Sequence, residues 1–163
     1  MNRRHRELVD VLPNIRRFAL SLTGHVADAD DLLQSTVERL LERGLPDDVD
    51  VTAWSLRVCR NLWIDEMRSR KVRRDAQREP AVIGEQVLPG EEQVLGEMTL
   101  EEVQQALFSL SEDQRAVLEL VAIEGHSYKE AAAILEVPIG TVMSRLARAR
   151  TALIEKSGIA AGG

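Results

Sequence analysis

The chain has 163 residues, a formal net charge of −6 and only 3% aromatic residues, so its core must come from aliphatic side chains and alanine, a composition that favours packed helices. A single cysteine, Cys59, excludes an intramolecular disulfide scaffold and makes a reducing cytoplasm the expected compartment. Glu7 and Asp10 interrupt the apolar stretch a signal peptide would need, and no later run approaches membrane-spanning length, so no membrane insertion is expected.

The charge is arranged in blocks. Residues 25–50 carry two bases against eight acids, residues 51–78 eight bases against three acids, and residues 79–113 nine acids and no base. Such segregation points to different partners for different segments. A locally basic helix can still neutralise phosphates within an acidic chain.

In chain order, Pro13 is placed in the opening turn of a helix continued by Ile15, Phe18, Ala19 and Leu22, with Gly24 as its stop. Asp28, Asp30 and Asp31 cluster at the start of a second helix, where carboxylates favour the positive end of the helix dipole. Leu33, Val37, Leu40 and Leu41 form its apolar side, and Gly44 and Pro46 end it. A third helix is predicted from Thr52. At about 100° per residue, Arg57, Arg60, Asn61, Arg68 and Lys71 share one arc, interrupted by Ile64, and apolar residues fill most of the rest. One side packs while the other faces phosphate. Trp54 and Trp63 lie close to the basic arc, which suits a surface where unpaired bases stack, although tryptophans at this spacing also serve as core.

The segment "RDAQREPAVIGEQVLPGEEQVLGE" holds Pro80, Gly84, Pro89, Gly90 and Gly96 without a sustained periodic pattern. It reads as a linker, and its length favours two domains over one. The first helical region runs from about Leu12 to Arg74, the second from near Thr99 to near Lys156.

In the second region Thr99 with Glu102, Ser111 with Gln114, and Ser127 with Glu130 have capping-box spacing, which predicts three helix starts. Leu100, Val103, Leu107 and Leu110 line the first of these helices. Val117, Leu118 and Val121 line the second, which Gly125 stops, and the third runs from Ser127 to about Glu136. Val137 and Pro138 form a short turn into a fourth helix near Ile139, giving helix, tight turn, helix. Val142, Leu146, Ala149 and Leu153 of the fourth can pack on Ala131, Ala132 and Leu135, which leaves Thr141, Ser144, Arg145 and Arg148 outward. That division suits a DNA recognition helix, in which arginines and small hydroxyls reach base edges and phosphates. A helical hairpin with a solvated arginine face has the same pattern.

Taken together, "LTGHVADADDLLQSTVERLLE", "AWSLRVCRNLWIDEMRSR" and "LSEDQRAVLELVAIEGHSYKEAAAILEVPIGTVMSRLARAR" resemble the bacterial RNA polymerase sigma factors of the extracytoplasmic-function (ECF, group IV) family. The resemblance covers nearly the whole chain. It implies an all-α fold of two small helical domains joined by a flexible acidic linker. Residues 1–75 would form a region 2-like domain, 76–97 the linker, 98–158 a region 4-like helix-turn-helix domain of four helices, and 159–163 a flexible tail.

The resemblance also implies partners. Asp31, Gln34 and Glu38 would contact the clamp helices of the largest subunit of core RNA polymerase, and the protein would also meet the polymerase's beta flap. Trp54, Arg57, Arg60, Asn61 and Arg68 would meet the minus-ten promoter element, with the loop from Gly44 to Thr52 helping to choose an extruded base. Thr141, Ser144, Arg145 and Arg148 would read the minus-thirty-five element. The linker would thread the polymerase channel that later carries RNA, and an anti-sigma factor would hold the protein inactive.

Three positions depart from the family pattern: Ser35 and Ser55, and Met143 at a recognition-helix position that is often Arg or Lys. His5, His25, His126 and Cys59 lack metal-site spacing and no phosphate-cradling glycine motif occurs, so neither an enzyme nor a cofactor is expected. Two other readings stay open: a stand-alone helix-turn-helix regulator that binds an operator without polymerase, and an interaction protein that sequesters a regulator and binds no DNA.

Overall fold

The computed structural model describes residues 2–77, 94–95 and 98–157. Helix α1 spans Arg3–Thr23, α2 Val26–Arg43 and α3 Val51–Gln77. A two-residue antiparallel pair, β1 (Val94–Leu95) with β2 (Met98–Thr99), leads into α4 (Leu100–Phe108). Then follow α5 (Glu112–Leu118), a π-helical turn (Glu119–Ile123), α6 (Tyr128–Leu135) and α7 (Ile139–Ser157). The all-α expectation holds, with β1 and β2 as the one addition among the described residues.

Helix α1 starts earlier than Pro13 suggested. Asn2 Oδ1 accepts from His5 N at 2.9 Å and caps it, and Pro13 lies within the helix. Proline there removes the donor for the Val9 carbonyl. Val9 is 51% exposed, so water can serve that carbonyl instead. Gly24 ends α1 in the left-handed region at φ 73°, its N–H donating to the Leu20 carbonyl, a conformation glycine adopts without a Cβ clash. Of the three acids predicted at the start of α2, only Asp28 lies in its first turn.

All three predicted capping boxes form, each with both reciprocal bonds: Thr99 with Glu102, Ser111 with Gln114, and Ser127 with Glu130. Each cap is worth about 1 kcal/mol. Glu136, in the left-handed region at φ 55°, closes α6 and turns the chain into α7.

Helices α1, α2 and α3 pack on one another around Ile15, Phe18, Ala19, Ala29, Leu56 and Cys59. The C-terminal helices enclose Val117, Leu120, Ile134, Leu135, Val142 and Leu146. As predicted, Val142, Leu146 and Ala149 are buried with Ala131 and Leu135, which sets α7 against α6. The two groups also meet each other, α1 against α5 and the π turn, and α3 against α6. Helix α3 continues to Gln77, beyond the expected end at Arg74, and Val94, Leu95 and Thr99 pair just before α4. The rest of the expected linker, residues 78–93 and 96–97, and the expected tail, residues 159–163, lie outside the described residues.

Candidate nucleic-acid interface

Helix α7 presents an open face because its apolar row is consumed by the core. Ser144 and Arg148 are exposed, while Thr141 and Arg145 are half-buried at its edges. Thr141 N donates to the Pro138 carbonyl at 2.9 Å, which locks the turn to the helix, and Ser144 Oγ lies 3.5 Å from the Thr141 carbonyl. Arg145 pairs with Asp113 of α5 at 3.7 Å, so of the two predicted arginines Arg148 is the freer to reach a ligand.

The basic arc of α3 is organised differently. The Arg57 guanidinium lies 4.8 Å over the Trp54 ring and 3.9 Å from the Glu136 carboxylate at the end of α6. Val49 and Asp50 of the preceding loop, Trp54 and Arg57 of α3, and Ala133 and Ile134 of α6 line a cavity of about 230 Å³. The loop is fixed from α1: Arg4 donates to the Pro46 carbonyl at 2.6 Å and to that of Val49 at 3.3 Å. Asn61 and Arg68 are exposed and Arg60 half-buried, so these three lie further along α3.

Trp63 is not a stacking platform in this arrangement. It is 6% exposed, its indole N–H donates to Glu112 of α5, and the Arg70 guanidinium lies 5.2 Å over its ring. Arg70 is held in turn by Asp28 at 3.1 Å and Glu66 at 2.9 Å. Ser55 is fully buried with an unpartnered hydroxyl. Cys59 is buried, and burial pushes its thiol up to about 12, far from the range of a reactive thiolate.

Polar residues that sequence reasoning missed hold the seam between the helical groups. Glu124, directly after the π turn, accepts from Asn14 at 2.6 Å and from Arg17 at 2.7 Å, both on α1. Burial pushes the Glu124 carboxyl up, but the bonds from Arg17 and Asn14 outweigh it and leave it below its ordinary value. Next to it, Glu119 is 7% exposed, and burial, then the neighbouring Glu124, push its carboxyl up to about 7. Arg115, 8% exposed, donates to the Ser21 carbonyl of α1 at 2.7 Å and to the Leu110 carbonyl at 2.7 Å. The one local signal for these residues is the charge of Glu119, Glu124 and Arg115 inside an apolar pattern, since such groups stay buried only when paired. On α2, Asp31, Gln34 and Glu38 form an exposed row in which Gln34 donates to Glu38 at 3.2 Å.

Among the described residues no helix is long and apolar enough to cross a membrane, and no cluster of His, Cys, Asp and Glu is placed to hold a metal ion.

Two sequence-family descriptions match, Sigma-70 region 2 over residues 8–73 and Sigma-70 region 4 over residues 100–153. The chain is 34% identical over 149 residues to the ECF RNA polymerase sigma factor EcfG of Rhodopseudomonas palustris, which covers 90% of this chain and 81% of that protein. It is 35% identical over 143 residues to the ECF sigma factor SigL of Mycobacterium tuberculosis, covering 84% of this chain and 78% of the relative. Among solved structures it is similar to the sigma factor RpoE of Bartonella quintana, crystallised with the anti-sigma factor NepR, with a TM-score of 0.80, 33% identity and coverage of 95% of this chain and 96% of that one. The chain therefore belongs to the ECF sigma factors of RNA polymerase. It is a non-enzymatic regulator that acts in transcription initiation.

Proposed function

We propose that this sigma factor binds core RNA polymerase in the cytoplasm and selects promoters through two separate surfaces, with residues 1–75 opening the minus-ten element and residues 98–158 reading the minus-thirty-five element. The observation that carries the division of labour is the open face of α7, where Thr141, Ser144 and Arg148 project beside a buried apolar row. Arginine there can grip guanine in the major groove through two bonds, while Thr and Ser approach the backbone. Arg145, shared with Asp113, contributes once DNA competes for it.

On α3, Trp54 and Arg57 with the loop at Val49 and Asp50 form the pocket for a base extruded from the melted strand; Arg60, Asn61 and Arg68 guide the backbone. Extrusion costs a few kcal/mol of stacking, which an aromatic and cationic pocket offsets. Since Glu136 and α6 border that pocket, strand entry requires α6 to leave α3. Asp31, Gln34 and Glu38 dock on the clamp helices of the largest subunit, and the C-terminal domain on the beta flap. The acidic linker follows the RNA channel, and an anti-sigma partner, as in the Bartonella quintana complex, holds the protein inactive.

The test is transcription in vitro with purified chain and core polymerase on genomic fragments. Promoter-specific initiation dependent on the chain is the expected result. A chain that neither binds core nor directs initiation, yet binds a palindromic operator alone, would be a stand-alone regulator; one that binds neither core nor DNA would be a sequestering protein.

A further inference from the structure

On α7, Ile139 and Met143 are 49% and 51% exposed, although the helix buries Val142, Leu146 and Ala149 almost completely. With the exposed Ala147 they stand at i, i+4 and i+8, one above the other on a single flank of the helix. This strip lies beside Ser144 and Arg148 on one side and Arg150 on the other. Residues 137–154 contain three arginines and no acid. Neither Arg148 nor Arg150 has an ion-pair partner among the described residues. Nothing lies within 4 Å of the position a Cβ would take at Gly140, so the approach to the first turn of the helix is open.

An exposed apolar strip edged by unpaired cations calls for a polyanion that carries apolar groups at defined places. Duplex DNA is such a ligand, because the C5-methyl of thymine is the apolar group displayed in the major groove. Methionine suits such a contact, since its unbranched, polarisable side chain adapts to a methyl without a fixed hydrogen-bond geometry. We infer that the strip of Ile139, Met143 and Ala147 reads thymine methyl groups in the minus-thirty-five element, with Met143 as the specificity-determining residue. The inference rests on the proposed function of α7. It gives Met143 a positive role: where a basic residue at this position would grip phosphate whatever the sequence, methionine exchanges that contact for discrimination between bases.

The experiment uses the full chain with core polymerase. Duplexes with a randomised minus-thirty-five region are selected for binding, and each thymine of the recovered element is then replaced by uracil, which removes the methyl and leaves every hydrogen-bonding group in place. Burial of one methyl predicts a roughly fourfold loss of affinity at one or two thymines. Met143→Ala should abolish the thymine-to-uracil difference at those positions while folding as the parent does, since the side chain is half exposed. Indifference of the parent to uracil at every thymine, or an unchanged thymine-to-uracil ratio in Met143→Ala, overturns the inference while leaving the sigma reading intact. Loss of core binding in Met143→Ala with that ratio unchanged also overturns it and marks the strip as a protein contact. Failure of the parent to initiate at any promoter defeats the sigma reading, and the inference with it.

Discussion

The two helices proposed to meet DNA differ in what their cations are doing. On α3, Arg57 is shared between Trp54 and Glu136, Arg70 is held by Asp28, Glu66 and Trp63, and Trp63 itself donates to Glu112. On α7, Arg148 and Arg150 are exposed, and among the described residues only Arg145 pairs with an acid. The helix with the larger basic block is thus the less available one, because part of its surface also faces the other helical group. Availability follows from partners already present, not from the number of positive charges, since each existing pair must be broken before a phosphate can take its place.

The contrast can be broken most severely at α7. Leu146→Ala, at a position 1% exposed, removes the contact that sets the helix angle and should cost about 2–5 kcal/mol, read by denaturant unfolding, with loss of minus-thirty-five binding. Next, Arg148→Ala should weaken minus-thirty-five duplex binding by about 1–3 kcal/mol, whereas Arg57→Ala should leave that duplex affinity unchanged; titration of both variants measures the difference, and equal effects would dissolve the division between the helices.

The seam offers a smaller perturbation. Glu124→Ala removes the acceptor shared by Asn14 and Arg17. Because Arg17 is half exposed, the cost is about 1 kcal/mol, seen as faster hydrogen exchange in α1 and a shift in Trp63 fluorescence. Glu119 adds a pH dependence. Its carboxyl is raised from 4.5 to about 7 in the folded chain, so its contribution is complete below pH 4.5 and is lost as pH rises through about 7. Glu124, shifted the other way, acts at the acid end, below its own ordinary value. Stability should therefore fall between about pH 4.5 and 7, and Glu119→Gln should flatten that slope in a series of thermal melts. The smallest effect belongs to Ser55→Ala, which removes a buried hydroxyl without a partner and should stabilise by up to about 1 kcal/mol, visible as a higher unfolding midpoint.

Much of the molecule is legible in the residue order because its signals are local. A capping box spans four residues, so Thr99, Ser111 and Ser127 announce three helix starts that all form. The apolar period of Val142, Leu146 and Ala149 likewise predicts which face of α7 is buried and hence which face is left open. Pro13 misled the reading of α1 because a helix tolerates proline where solvent can serve the freed carbonyl. Trp63 could not be assigned from its spacing, since core and stacking surface share one pattern and a partner 49 residues away decides between them.

By itself, then, the sequence determined most of the helices, the three capping boxes and the tight turn before α7, all set by interactions a few residues apart. Only the tertiary structure decided that Glu124 meets Asn14 across 110 residues, that Glu136 reaches Arg57, and that Glu112 of α5 takes the indole N–H of Trp63. Those outcomes depend on how whole helices pack. Periodicity along a single helix can name the face that is buried, but not the neighbour that will cover it.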